Sequence, residues 1–229
     1  MTYPVVSAPY GLKPINLIGG QVFAGSTRQI KIASGTATDI FYGDVVRTSS
    51  DGVIVKETGT TTVTATGVVG VFMGCQFTNP STKQLQFQQF WPSGTVAADA
   101  LAFVSDDPDQ LFKVAAVSSG TTIAFYGQTV IGTNVALVQN SGSTTSGNSA
   151  VAILGTSVAA TASLPIRIVD VVTDTANASG NFCEFIVKWN APYAVSTSAT
   201  TATGDPLVYT TTTTTVMTGG HQYLNPTGV

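Results

Sequence analysis

The chain is 229 residues long, carries a formal net charge of −3, and has only 9% charged side chains, against about 25% in an average soluble protein. Nine Lys and Arg face twelve Asp and Glu with no basic stripe among them, so no nucleic-acid partner is expected. No apolar run approaches the roughly 20 residues of a membrane helix, and the first residues lack a charged segment followed by an apolar one. A soluble protein made in a cytoplasm, without a membrane partner, is therefore expected.

The polarity comes from Thr, Ser, Asn and Gln, alongside 23 glycines. Two explanations fit. Many strands and turns give such a composition, and so does a surface covered by assembly partners, where charges would be costly to desolvate. Cys75 and Cys183 each sit inside an apolar strand pattern and read as buried free thiols. Two cysteines and a single histidine, His221, have no ligand spacing, so no metal site and no cofactor is expected.

In chain order, residues 1–28 read as an extended arm. Pro4, Pro9 and Pro14 fall five residues apart and disfavour helix. The arm's apolar residues either pack on its own domain or reach a neighbour. Residues 29–127 read as a β-barrel or β-sandwich domain of short strands with turns about every 8–12 residues. Its strands are Gln29 to Ala33, Ile40 to Arg47 with a kink at Gly43-Asp44, Val53 to Lys56 after the hairpin turn Asp51-Gly52, Leu85 to Trp91, Ala97 to Val104, and Leu111 to Val117 closing the sheet. At its centre lies Val68 to Phe77. Val69, Val71, Met73, Cys75 and Phe77 form one apolar face, and Gly70 and Gly74 on the other predict a close backbone approach.

Residues 128–190 read as a second, smaller β region. Asn140 to Ser149 is low-complexity and expected to be flexible. Ala150 to Leu154 is a strand or a short helical turn. Ile166 to Val172 and Phe182 to Trp189 form a strand pair, the latter half-solvated with Glu184 and Lys188 outward. Residues 191–229 read as a Thr-rich tail, with a strand near Pro206 to Tyr209 and room for another through the threonines.

No constellation nominates a catalytic site, and an enzyme is not expected. Asp106, Asp107 and Asp109 suit either a calcium loop or a solvated turn, and the turn is the simpler reading. Asp44 reads as a turn or bulge residue, or as a buried carboxylate paired with Arg47 or Arg28. Trp91 and Trp189 read as core rather than as sugar platforms, with Tyr42 and Phe90 beside them. His221, in a polar tail, has no nucleophile or acid around it. Asn177-Ala178-Ser179 is a glycosylation sequon only if the chain is secreted.

Several blocks resemble small structural proteins of marine and cyanobacterial tailed phages. They are Tyr10 to Gly20 with Phe23 to Arg28, Phe41 to Val46, Gly70-Val71-Phe72, Phe90 to Thr95, and Leu164 to Asp170, and the resemblance runs over residues 10–190. It implies a capsid cement or decoration protein, non-enzymatic, on the capsid exterior of a virion and stabilising the head. The implied partners are the major capsid protein and other copies of the chain, as trimer or dimer. On that reading Tyr3, Val5, Tyr10, Leu12 and Leu17 are the arm's partner-binding residues, and deletion of residues 2–14 should leave a folded domain. The alternative is a phage tail or fibre component, a receptor-binding module recognising host surface glycans.

Overall fold

A computed structural model describes residues 6–61, 67–123, 125–175, 181–190, 193–202, 209–218 and 221. Its strands are β1 (Lys13–Leu17), β2 (Arg28–Lys31), β3 (Val45–Thr48), β4 (Ile54–Lys56), β5 (Gly70–Thr78), β6 (Leu85–Gln88) and β7 (Leu101–Ser105). They continue with β8 (Gln110–Ser119), β9 (Thr122–Ile123), β10 (Asn134–Val138), β11 (Ala152–Ala159), β12 (Ile166–Val171), β13 (Glu184–Trp189), β14 (Tyr193–Ala202) and β15 (Tyr209–Thr218). The only helical element among the described residues is the 3-10 turn Gln128–Val130. The protein is all-β, with a closed five-stranded barrel and a second sheet.

β5 is the central strand of that second sheet, which runs β2-β7-β5-β3-β4 with β6 also paired to β5. The glycines explain how it fits. A Cβ on Gly70 would lie 2.1 Å from the Ser105 backbone oxygen, and one on Gly74, at φ +130°, would lie 3.0 Å from the Gln88 oxygen. Backbone does approach closely there, as the glycine face predicts.

The expected single apolar face is split, however. The register of β5 against β7 shifts between Phe72 and Gly74, and such a bulge changes which way the following side chains point. Val71 packs into the barrel core with Met73 partly buried against it. Phe72, Cys75 and Phe77 pack into the sheet's own core with Ile40, Val46 and Trp91.

The barrel closes as β8-β11-β10-β12-β13 and back to β8. β8 and β11 are parallel, and the other pairs are antiparallel. Phe112, Val114, Val135, Leu137, Ile153, Ile166, Ile168, Phe185, Val187 and Trp189 form its core, which is continuous with Val45, Val68 and Val71 from the other sheet.

Two expectations are corrected here. The closed barrel is built by residues 110–189, and the sheet of residues 28–105 stays open. Leu111 to Val117, expected to complete the first sheet, is the strand on which the barrel is founded. Its outward residues Ala115 and Val117 are buried as well, in a cluster with Phe182 that Val6 and Tyr10 cover. A strand apolar on both faces carries no sign of which sheet it joins.

The N-terminal stretch is not a free arm over its described length. β1 pairs antiparallel with β8, the Gly11 N–H donates to the Val151 carbonyl at 3.1 Å, and the Leu12 N–H donates to the Gly43 carbonyl at 3.0 Å. Gly11, at φ +81°, is wedged where a Cβ would lie 2.8 Å from both the Gly43 oxygen and Ser149 Cβ. This stretch pins sheet to barrel.

The low-complexity segment 140–149 is ordered rather than flexible. The Ser143 N–H donates to the Asn148 carbonyl, the Gly147 N–H to the Ser143 carbonyl, and the Tyr42 N–H to the Gly147 carbonyl. Gly142 fits because a Cβ there would strike the Phe41 ring at 2.4 Å. Tyr193–Ala202 and Tyr209–Thr218 form a two-stranded antiparallel hairpin, β14–β15, so the threonine run of the tail is a strand, while residues 206–208 lie outside the described residues.

Candidate interaction surface

Three buried carboxylates mark the seams between elements. Asp44 accepts from the Phe41 N–H at 2.9 Å and from Ser149 Oγ at 2.6 Å, and Lys56 Nζ lies 2.8 Å from it. The buried-carboxylate reading of Asp44 holds, but its cation is Lys56 rather than Arg47 or Arg28. Arg47 pairs instead with buried Glu57 at 3.4 Å. Glu184, expected to be solvated, is buried because Tyr10 covers it and donates a hydrogen bond to it, while Lys113 Nζ sits 3.1 Å away. Burial and that contact push the Tyr10 phenol far above its ordinary pKa. Asp44 and Lys56 are 0% and 12% exposed, and removing one partner of such a pair costs about 3–5 kcal/mol.

Among the described residues several large apolar side chains are exposed, Val22, Val96 and Phe125 among them, and two stand together on β6. β6 continues the sheet past the barrel, and Leu85 and Phe87 are 58% and 68% exposed. Phe87 stacks on Phe103 of β7 with ring centroids 6.4 Å apart. The two strands flank β5, where Gly74 stands opposite Phe103 and Gln76 opposite Phe87. A shallow groove of about 520 Å³ opens beside them, lined by Tyr42, Met73, Phe87, Gln89 and Phe103 among others. The alternation of Leu85 and Phe87 with glutamines was readable in the sequence, but not which face would be covered. The barrel covers the Val45 and Val71 end of that face and leaves the β6 end bare.

A larger polar cleft of about 810 Å³ is lined by Asp39, Phe41, Lys56, Thr58, Gln139 and Ser143 among others. The Gln139 side chain donates to the Gly59 carbonyl at 3.0 Å, while its Oε1 is buried without a hydrogen-bond partner.

The residues nominated as arm contacts divide three ways. Tyr3 and Val5 lie outside the described residues. Leu12 is fully buried in the chain's own core, and Tyr10 is bonded to Glu184. Both are thus occupied within one chain, contrary to the expectation that they pack on a neighbour. Leu17, on β1, is half-buried beside Gln110. Trp91 and Trp189 are core residues. Asp106 pairs with Arg28 at 3.2 Å and Asp109 with Lys188 at 3.4 Å. Among the described residues no group of three or more His, Cys, Asp or Glu could hold a metal ion.

Cys75 and Cys183 are free and buried, and burial pushes the Cys75 thiol up to about 12. His221, read as part of a polar tail, is fully buried. It forms a parallel bridge with Val68, and its ring lies 6.4 Å from Trp189. Asn177-Ala178-Ser179 lies outside the described residues. No family model, no curated protein and no solved structure matches the chain.

Proposed function

We propose that the protein is a non-enzymatic structural protein of a phage virion, a cement protein that binds the outside of the capsid and stabilises the head. The observation that carries this reading is the bare apolar end of the sheet, where Leu85 and Phe87 stand in solvent and Phe87 stacks on the half-buried Phe103. Contiguous exposed apolar surface of this kind marks interaction sites. The surrounding low charge lowers the desolvation cost of covering it. The phage-like sequence blocks support the same partner, the major capsid protein. Many weak apolar contacts become strong when repeated over a lattice, which suits a patch too small for a stable complex by itself. Quantitative gel analysis of purified particles tests this: a cement protein is present at a stoichiometry comparable to the capsid protein's, and a few copies per particle would contradict it.

The polar cleft favours a second reading, a tail or fibre module that binds host glycans. Its amide and hydroxyl lining suits a neutral sugar. Binding of the isolated protein to host cells, lost in Gln139→Ala, would support it over the first.

A further inference from the structure

We propose that the β14–β15 hairpin is a homotypic pairing arm, in which the open edge of β15 adds to the same edge of a second copy, antiparallel about a two-fold axis. The hairpin forms a sheet of its own, and no third strand joins it among the described residues. Ten consecutive residue pairs, from Tyr193↔Thr218 to Ala202↔Tyr209, run without a register shift. Strands of that length extend about 33 Å at about 3.3 Å per residue. A lone two-stranded hairpin is marginally stable in water, and a third strand is what ordinarily stabilises it.

Natural proteins protect such edges with lysines, prolines, bulges or short strands. β14 and β15 have none of these: neither contains a charged residue, a proline or a glycine, and the register has no bulge. The edge is therefore open to another strand, and its composition selects which one. Thr210 to Thr215 is an unbroken threonine run, β-branched and able to pair hydroxyl to hydroxyl across strands. A second β15 matches it residue for residue, and with no charge on either there is no repulsion to overcome. Antiparallel pairing about a two-fold axis centred on Thr213 sets Tyr209 of one copy opposite Met217 of the second. The inference needs only a second copy and no shell, so it stands or falls separately from the capsid reading.

Sedimentation equilibrium of the full chain tests it. The chain should self-associate to a dimer across micromolar concentrations, and Thr211→Lys with Thr213→Lys should weaken that association at least ten-fold, with buried-tryptophan emission unchanged. A register test stands beside it: Tyr209→Cys with Met217→Cys should form a covalent dimer on mild oxidation, while either single variant should not. The opposed residues of an antiparallel pair lie within disulfide reach. A wild-type chain that stays monomeric would overturn the proposal, as would a folded lysine variant that associates like wild type. If the lysine variant loses its fold, the cysteine pair decides, and failure to cross-link overturns the pairing.

Discussion

Phe87 of β6 and Phe103 of β7 stack across the intervening strand β5, ring centroids 6.4 Å apart. Phe87 is mostly exposed, so the pair holds little of the core together. Phe87→Ser with Leu85→Ser should keep the fold, with a stability change within about 1 kcal/mol. On the cement reading it should weaken binding to capsids at least ten-fold. Chemical denaturation and co-sedimentation with heads measure the two effects separately.

Gly70 makes the opposite case. A methyl group there would lie 2.1 Å from the Ser105 carbonyl oxygen, a backbone atom that cannot turn aside. Gly70→Ala should destabilise by about 3 kcal/mol or more. Gly127→Ala is the control: its Cβ would meet nothing within 4 Å and its φ is −89°, so it should be nearly neutral. Urea midpoints of the two variants make the comparison.

Leu12 joins Val45 and Val71 of the sheet to Phe112 and Val151 of the barrel in one buried cluster. Leu12→Ala should cost about 2–5 kcal/mol. Deletion of residues 2–14 should prevent stable folding, because it removes Tyr10, Gly11 and Leu12 from the seam. A soluble, cooperatively melting deletion variant would show that the seam holds without them.

Burial holds the His221 imidazole below its ordinary pKa, only partly offset by Asp106 and Asp107. The unfolded chain takes up this proton near about pH 6.5, and the folded chain does so only at lower pH. Its contribution to stability is therefore full above about pH 6.5 and declines as the pH falls through that value. His221→Gln should be less stable than wild type at pH 8, and the gap should narrow towards pH 5. A gap that widens on acidification would contradict the sign.

The sequence made strand type and spacing legible, because alternation survives in β12 and from Phe185 to Trp189 of β13. The glycine face of β5 was readable for the same reason, since only a close backbone explains two glycines in a core strand. Strand allegiance was hidden in β8, which is apolar on both faces. The Phe72–Gly74 bulge was invisible because it reverses the facing of residues without changing their type. Arm and tail misled for a related reason: Leu12, Glu184 and His221 are covered by segments far away in sequence, and no local pattern encodes what packs over them. The exposed Phe87 could be nominated as apolar, but its exposure depends on where the barrel ends.

The most direct test of the capsid account is reconstitution. Heads assembled without this protein, mixed with the purified full chain, should bind it to saturation on their outer surface. They should then withstand heat or osmotic shock that ruptures undecorated heads. Heads that bind none of it, or that rupture at the same temperature with and without it, would contradict the central claim.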